Sequence, residues 1–228
     1  MSPLPLSCSW FADIKILDLL GLLLFVLVVA GYRFFLAYTL KARPERLYLG
    51  KLQAYRNAWI QTHSGDRNSL MVVQTLRNTI MTASFLASTA VILIMGAVNL
   101  LANLESLDRT IGAFPHFGHS DPRMTLLKVL LLIITLSYSF FNFTNYIREV
   151  NYMSFILNIP KERLDVIEGG DSTVLISQIF LSSGLHFSMG MRGYYFLVPL
   201  FLWIFNPVLM MIATLLIVRH LLRRDLSG

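Results

Sequence analysis

Residues 16–40 read ILDLLGLLLFVLVVAGYRFFLAYTL, an apolar run interrupted only by Asp18 near its start and Arg33 near its end. The hydrocarbon core of a bilayer is about 30 Å thick, so one helical crossing needs ~20 such residues. Inside hydrocarbon every backbone N–H and C=O must find its partner within the segment, and a helix is the arrangement that supplies it. Comparable runs recur at residues 79–101, 124–147 and 196–218. The fold class expected is therefore all-α: a polytopic transmembrane helix bundle with four crossings, forming a single membrane domain over residues 1–228.

Composition agrees. The chain is 55% hydrophobic and 14% charged with a mean hydropathy of +0.62, against roughly a quarter charged residues in soluble domains. The net charge of +6 and pI near 9.6 are those of a membrane protein with basic inner loops facing anionic headgroups. No compact basic motif with a reading helix or stacking aromatics is present, so nucleic acid is not an expected partner. Cys8 is the only cysteine, which rules out an intrachain disulfide. The first fifteen residues lack a basic n-region and a small-residue cleavage site, and the first helix is read as retained.

The connection over residues 41–77 is the most basic, with Lys41, Arg43, Arg46, Lys51, Arg56, Arg67 and Arg77, and is expected on the cytoplasmic side. Within it a basic amphipathic helix is expected at about residues 44–63, Pro44 opening its first turn. Tyr48, Leu52, Tyr55 and Trp59 follow at steps of four, three and four and so share a face. With Lys51 and Arg56 away from that stripe, the helix suits either the membrane surface or the side of other helices. Residues 64–66 break it, and Asp66 or Asn68 can cap the next helix. That second crossing carries Ala83, Ser84, Ala87, Ser88 and Ala90 at spacings that let backbones approach closely in lipid.

Residues 102–123 form a polar connection in which His116 and His119 are spaced as metal ligands, but Pro115 and Gly118 interrupt any helix that would align them. No metal-ligand set and no cofactor motif is read from the chain. Residues 173–191 are uncharged yet hold Gln178, His186, serines, Gly184 and Gly190 without a clean stripe. A fifth crossing, a re-entrant helix and a helix buried in an oligomer all fit. An interfacial turn is expected at residues 192–195. Basic residues divide eleven against six between the two sides with four crossings and thirteen against four with five, N-terminus out.

Three stretches, VQTLRNTIMTASFLAST (73–89), FFNFTNYIREVNYMSF (140–155) and MRGYYFLVPLFLWIFNP (191–207), resemble a membrane family catalogued as domain of unknown function 599. The resemblance implies a membrane protein and brings no active site with it.

The chemistry that stands out is polar residues at one depth: Gln74, Arg77 and Asn78 at the start of the second crossing, and Asn142, Asn145, Arg148 and Glu149 at the end of the third. If the two crossings are antiparallel neighbours these sets meet, either as a hydrogen-bonded lock between helices or as the lining of a water-filled path. No GxSxG, HExxH, P-loop or GxGxxG signature occurs, and an enzyme is not expected. The function expected is a channel or transport-like homo-oligomer in the cytoplasmic membrane. The alternative is a scaffold that engages a partner or anionic lipid headgroups through its basic loop.

Overall fold

A computed structural model of the protein describes residues 7–63, 70–112 and 122–226. Among them there are eight α-helices and no strand: α1 (Ser7–Ala42), α2 (Tyr48–His63), α3 (Leu70–Ala102), α4 (Leu104–Gly112), α5 (Pro122–Ile156), α6 (Lys161–Glu168), α7 (Ser172–Phe205) and α8 (Pro207–Leu226), with one 3₁₀ turn at Pro44–Arg46. Four segments are long and apolar enough to cross a membrane: Ile16–Ala42, Met71–Ala102, Arg123–Ile156 and Ser172–Phe205. The expected all-α class is the observed one. The helix break at residues 64–66, the caps Asp66 and Asn68, and the pair His116 and His119 lie outside the described residues.

The fourth crossing differs from expectation. The interfacial turn expected at residues 192–195 is helical, and α7 continues from Ser172 to Phe205. The run expected at 196–218 is instead divided at Asn206. Asn206 Oδ1 accepts the Val208 N–H at 2.7 Å, and the Asn206 carbonyl accepts the Met210 N–H at 3.3 Å. Asn206 is thus the N-cap of α8 and Pro207 its first residue, the position where a missing N–H costs nothing. Arg192 does not need an interface, because its guanidinium meets Asp225 at 3.0 Å and hydrogen-bonds Ser188. Pro199 lies within α7 without ending it, as proline does where neighbouring groups satisfy the freed carbonyl.

The described residues fold as two compact units, drawn from residues 1–38, 93–136 and 194–224, and from residues 39–92, 137–193 and 225–228. The boundaries fall inside α1, α3, α5, α7 and α8. In the first unit, Trp203, Leu200, Ile204 and Met210 are buried with Leu132, while Tyr32, Phe196, Val218 and Leu221 form a second core. Partners along α8 rise in number as those on α7 fall, Met210 beside Trp203 and Arg224 hydrogen-bonded to Tyr195. The helix α8 therefore folds back along α7.

In the second unit α3 presents its alanines inward. Ala83, Ala87 and Ala90 are buried while Phe85, Ile92 and Met81 are exposed, the division expected of a helix with lipid on one side and close packing on the other. Around Ala83 gather Leu76, Tyr146, Val150, Met153, Ile176 and Ile60. Against the other wall of α5, α7 offers glycines. A Cβ on Gly190 would come within 2.8 Å of the Phe143 ring, and one on Gly193 would clash with Ser139 Oγ.

The turn before α7 is built from two carboxylates. Gly169 ends α6 in the left-handed conformation, φ +67°, which favours glycine. Asp165 Oδ1 then accepts the Ser172 N–H at 2.8 Å, and Asp171 Oδ1 accepts the Thr173 N–H at 3.0 Å. Hydrogen bonds from Thr173, with Lys161 3.3 Å away, hold the Asp171 carboxyl below the usual carboxylate range. A lowered folded value means that this stabilisation is present above the ordinary value of about 3.9 and is lost as pH falls through the folded one. Amide exchange at the start of α7 should accordingly lose protection on acidification below about pH 3.9; Asp171→Ala should show the same loss at neutral pH. Gly190→Ala should lower stability by about 1–3 kcal/mol through overpacking against Phe143, read from thermal unfolding of the purified protein in detergent.

Candidate functional site

Besides the Arg192–Asp225 pair, two groups of polar side chains meet between the long helices, a buried one in the first unit and a half-buried one in the second. In the first unit Asp18 of α1, Lys128 of α5 and Trp203 of α7 converge. Lys128 Nζ lies 3.1 Å from Asp18 Oδ1, and both side chains are almost wholly buried. Trp203 Nε1 donates to the same oxygen at 2.7 Å, and the ammonium stands 5.5 Å from the centre of the indole ring. A buried ion pair persists only where its remaining capacity is met by further polar or π contacts, and the indole supplies both kinds. Three of the four long helices are tied at this point.

Removing one member leaves the other charge buried alone. Asp18→Ala should cost about 3–5 kcal/mol, and Asp18→Ala combined with Lys128→Leu should cost less than Asp18→Ala alone. Unfolding midpoints of the three purified proteins check this.

In the second unit the site lies between α5 and α7. Asn142 Nδ2 donates to the Tyr138 carbonyl at 2.8 Å, which turns its Oδ1 toward His186 Nδ1, 3.3 Å away. An amide oxygen can only accept, so this network assigns the proton to Nδ1 and leaves Nε2 as the variable nitrogen. Nε2 faces Glu149 Oε1 at 3.6 Å, and Ser182 Oγ donates to the same oxygen at 2.9 Å. Glu149 Oε2 is buried and accepts no hydrogen bond among the described residues. Asn142 thus holds the ring in register and Ser182 holds one carboxyl oxygen.

Behind this pair, α2 packs on α7. The Arg56 guanidinium fills the space beside Gly184, where a Cβ would clash with its Nη1, and lies 5.5 Å from the Phe180 ring centre. Burial holds this guanidinium below its ordinary pKa, an effect opposed by the charges of Tyr146 and Tyr48. Asn57 accepts a hydrogen bond from Ser177, and Trp59 stacks on Phe180 at 5.8 Å. The face of α2 that packs is thus the Arg56, Asn57 and Ile60 side. Of the expected aromatic stripe, Tyr48 and Tyr55 are exposed, and Leu52 and Trp59 are half-buried.

The polar set read from the sequence divides. Asn142 and Glu149 enter the site, Asn145 is half-buried, and Arg148 is exposed. Gln74, Arg77 and Asn78 lie on exposed faces of α3. The residues the sequence reading did not join to them are His186 and Ser182 of α7. His186 stood out as an ionisable group in an uncharged run; its partner Glu149 was visible as well, and only the pairing of α5 with α7 was missing.

Helices that are long and apolar, exposed on their outer faces and joined inwardly by polar contacts, define an integral, polytopic α-helical membrane protein. The family model described as protein of unknown function, DUF599, matches residues 20–228, and the chain belongs to that family. No curated protein and no solved structure matches it.

Proposed function

We propose that the protein is a proton-linked, transport-type membrane protein in which Glu149 and His186 are the ion-handling pair. The observation that carries this reading is the state of the Glu149 carboxyl. One oxygen is shared by Ser182 and His186, and the other is buried with no donor among the described residues. An unsatisfied carboxylate oxygen is costly away from water, and uptake of a proton or small cation relieves it. Ionisable side chains paired within membrane-spanning helices characteristically mark ion or proton routes. The fixed tautomer of His186 adds direction, because only Nε2 exchanges a proton with Glu149. On this reading the protein is not an enzyme. It resides in the cytoplasmic membrane with the basic residues 41–77 inside, and copies assemble around the route, since a bundle this small encloses little space alone.

A second reading, a scaffold that presents the basic α2 to a partner, draws support from the exposure of Tyr48 and Tyr55 on its outer face. Proton flux separates the two. Purified protein reconstituted into liposomes with a trapped pH-sensitive dye should collapse an imposed pH gradient faster than empty liposomes. Glu149→Gln should reduce the protein-dependent part of that rate about a hundredfold, the lower end of what a proton-transferring group contributes, and His186→Ala should do the same while the protein remains folded. Equal rates for the wild type and Glu149→Gln would remove the pair from any transport role and leave the scaffold reading.

A further inference from the structure

A cavity of about 340 Å³ opens between α3 and α5, lined on one side by Val72, Leu76, Arg77 and Ile80 and on the other by Asn151 and Leu157. Its chemistry is divided. Most of the wall is aliphatic, and the polar groups are contributed by Arg77 and by three residues of α5 and the turn that follows it. Two of those three are already engaged: Ser154 Oγ donates to the Val150 carbonyl at 2.9 Å, and Asn158 Nδ2 donates to the Ser154 carbonyl at 2.9 Å. Arg77 and Asn151 make no hydrogen bond or ion pair among the described residues. Their donors are available to a ligand.

The depth of the cavity is also informative. Arg77 stands seven residues after Leu70, about 10 Å along α3 at 1.5 Å per residue, and Asn151 lies five residues before the end of α5 at Ile156. Both apolar segments exceed the ~20 residues that a bilayer core requires, so these ends reach the headgroup layer. A cation at that depth, beside an unengaged amide and above an aliphatic wall, is complementary to a phosphate with hydrocarbon attached.

We infer that this groove binds an anionic glycerophospholipid, with Arg77 and Asn151 donating to the phosphate and Val72, Leu76, Ile80 and Leu157 contacting the upper acyl chain. The site is separate from Glu149 and His186 and does not depend on the transport reading. A planar guanidinium can meet two phosphate oxygens at once, whereas a zwitterionic choline headgroup sets its own cation against Arg77.

Native mass spectrometry of the full chain, released from micelles holding equal amounts of phosphatidylglycerol and phosphatidylcholine, tests the assignment. Phosphatidylglycerol should be retained preferentially by the wild type. Arg77→Gln should lower that preference about fivefold, the loss expected for one basic residue at an anionic surface. Arg148→Gln removes an equally exposed charge outside the groove and should leave the preference intact. Arg77 is exposed and makes no hydrogen bond or ion pair among the described residues, so its replacement should leave the unfolding temperature unchanged. Equal retention of the two lipids, an unaltered preference in Arg77→Gln, or an equal loss in Arg148→Gln would overturn the site. Inorganic phosphate at millimolar concentration should not displace the lipid; displacement by it would show a free-anion site and overturn the lipid assignment.

Discussion

Hydrocarbon offers no hydrogen bonds, and this single lack organises the molecule. It makes the long segments helical, and it leaves the charged side chains held between them to be answered by other segments of the chain. Asp18 is answered by Lys128 and Trp203, Glu149 by Ser182 and His186, and Arg192 by Asp225. Each of these joins different helices. The polar residues that interrupt the apolar runs thereby fix which helices are neighbours, a task that aliphatic contacts in lipid perform weakly because the tails pack equally well.

The helix α7 takes part in all three. Its glycines admit what packs on it: the Arg56 guanidinium beside Gly184, the Phe143 ring against Gly190 and the Ser139 hydroxyl against Gly193. Gly184 and His186 are two residues apart on α7 and so lie on different faces of that helix, the Arg56 guanidinium against one and Glu149 against the other. The basic connection is in this way part of the packed second unit, held by Asn57, Trp59 and Arg56, with its outer aromatic residues left for the surroundings.

Much of this was legible in the amino-acid sequence. The helical class, three of the four long apolar helices and the inward alanines of α3 follow from run length and small-residue spacing. The fourth helix was misread because Arg192 looked like an interfacial charge. Its partner Asp225 is 33 residues away, and no local pattern announces a pairing across that distance. The boundary at residue 206 was in plain view, since asparagine followed by proline is the N-cap and first-turn combination. The polar cluster was recognised by depth, but depth does not specify which helices touch. Asn142 and Glu149 pair with α7, and the α3 residues Gln74 and Asn78 point elsewhere, a distinction made by the fold and by nothing in the periodicity of α3 or α5.

The Asp18, Lys128 and Trp203 constellation also has a meaning for biogenesis. Asp18 and Trp203 are 185 residues apart, and translation delivers the carboxyl long before the ammonium and the indole that answer it. The nascent α1 must therefore wait, its carboxyl sheltered by the insertion machinery or held near the headgroups, until α5 and then α7 arrive. Settling of the first helix is coupled to the synthesis of the fourth, and the assembled triad marks the moment at which this part of the protein becomes independent of the machinery that inserted it.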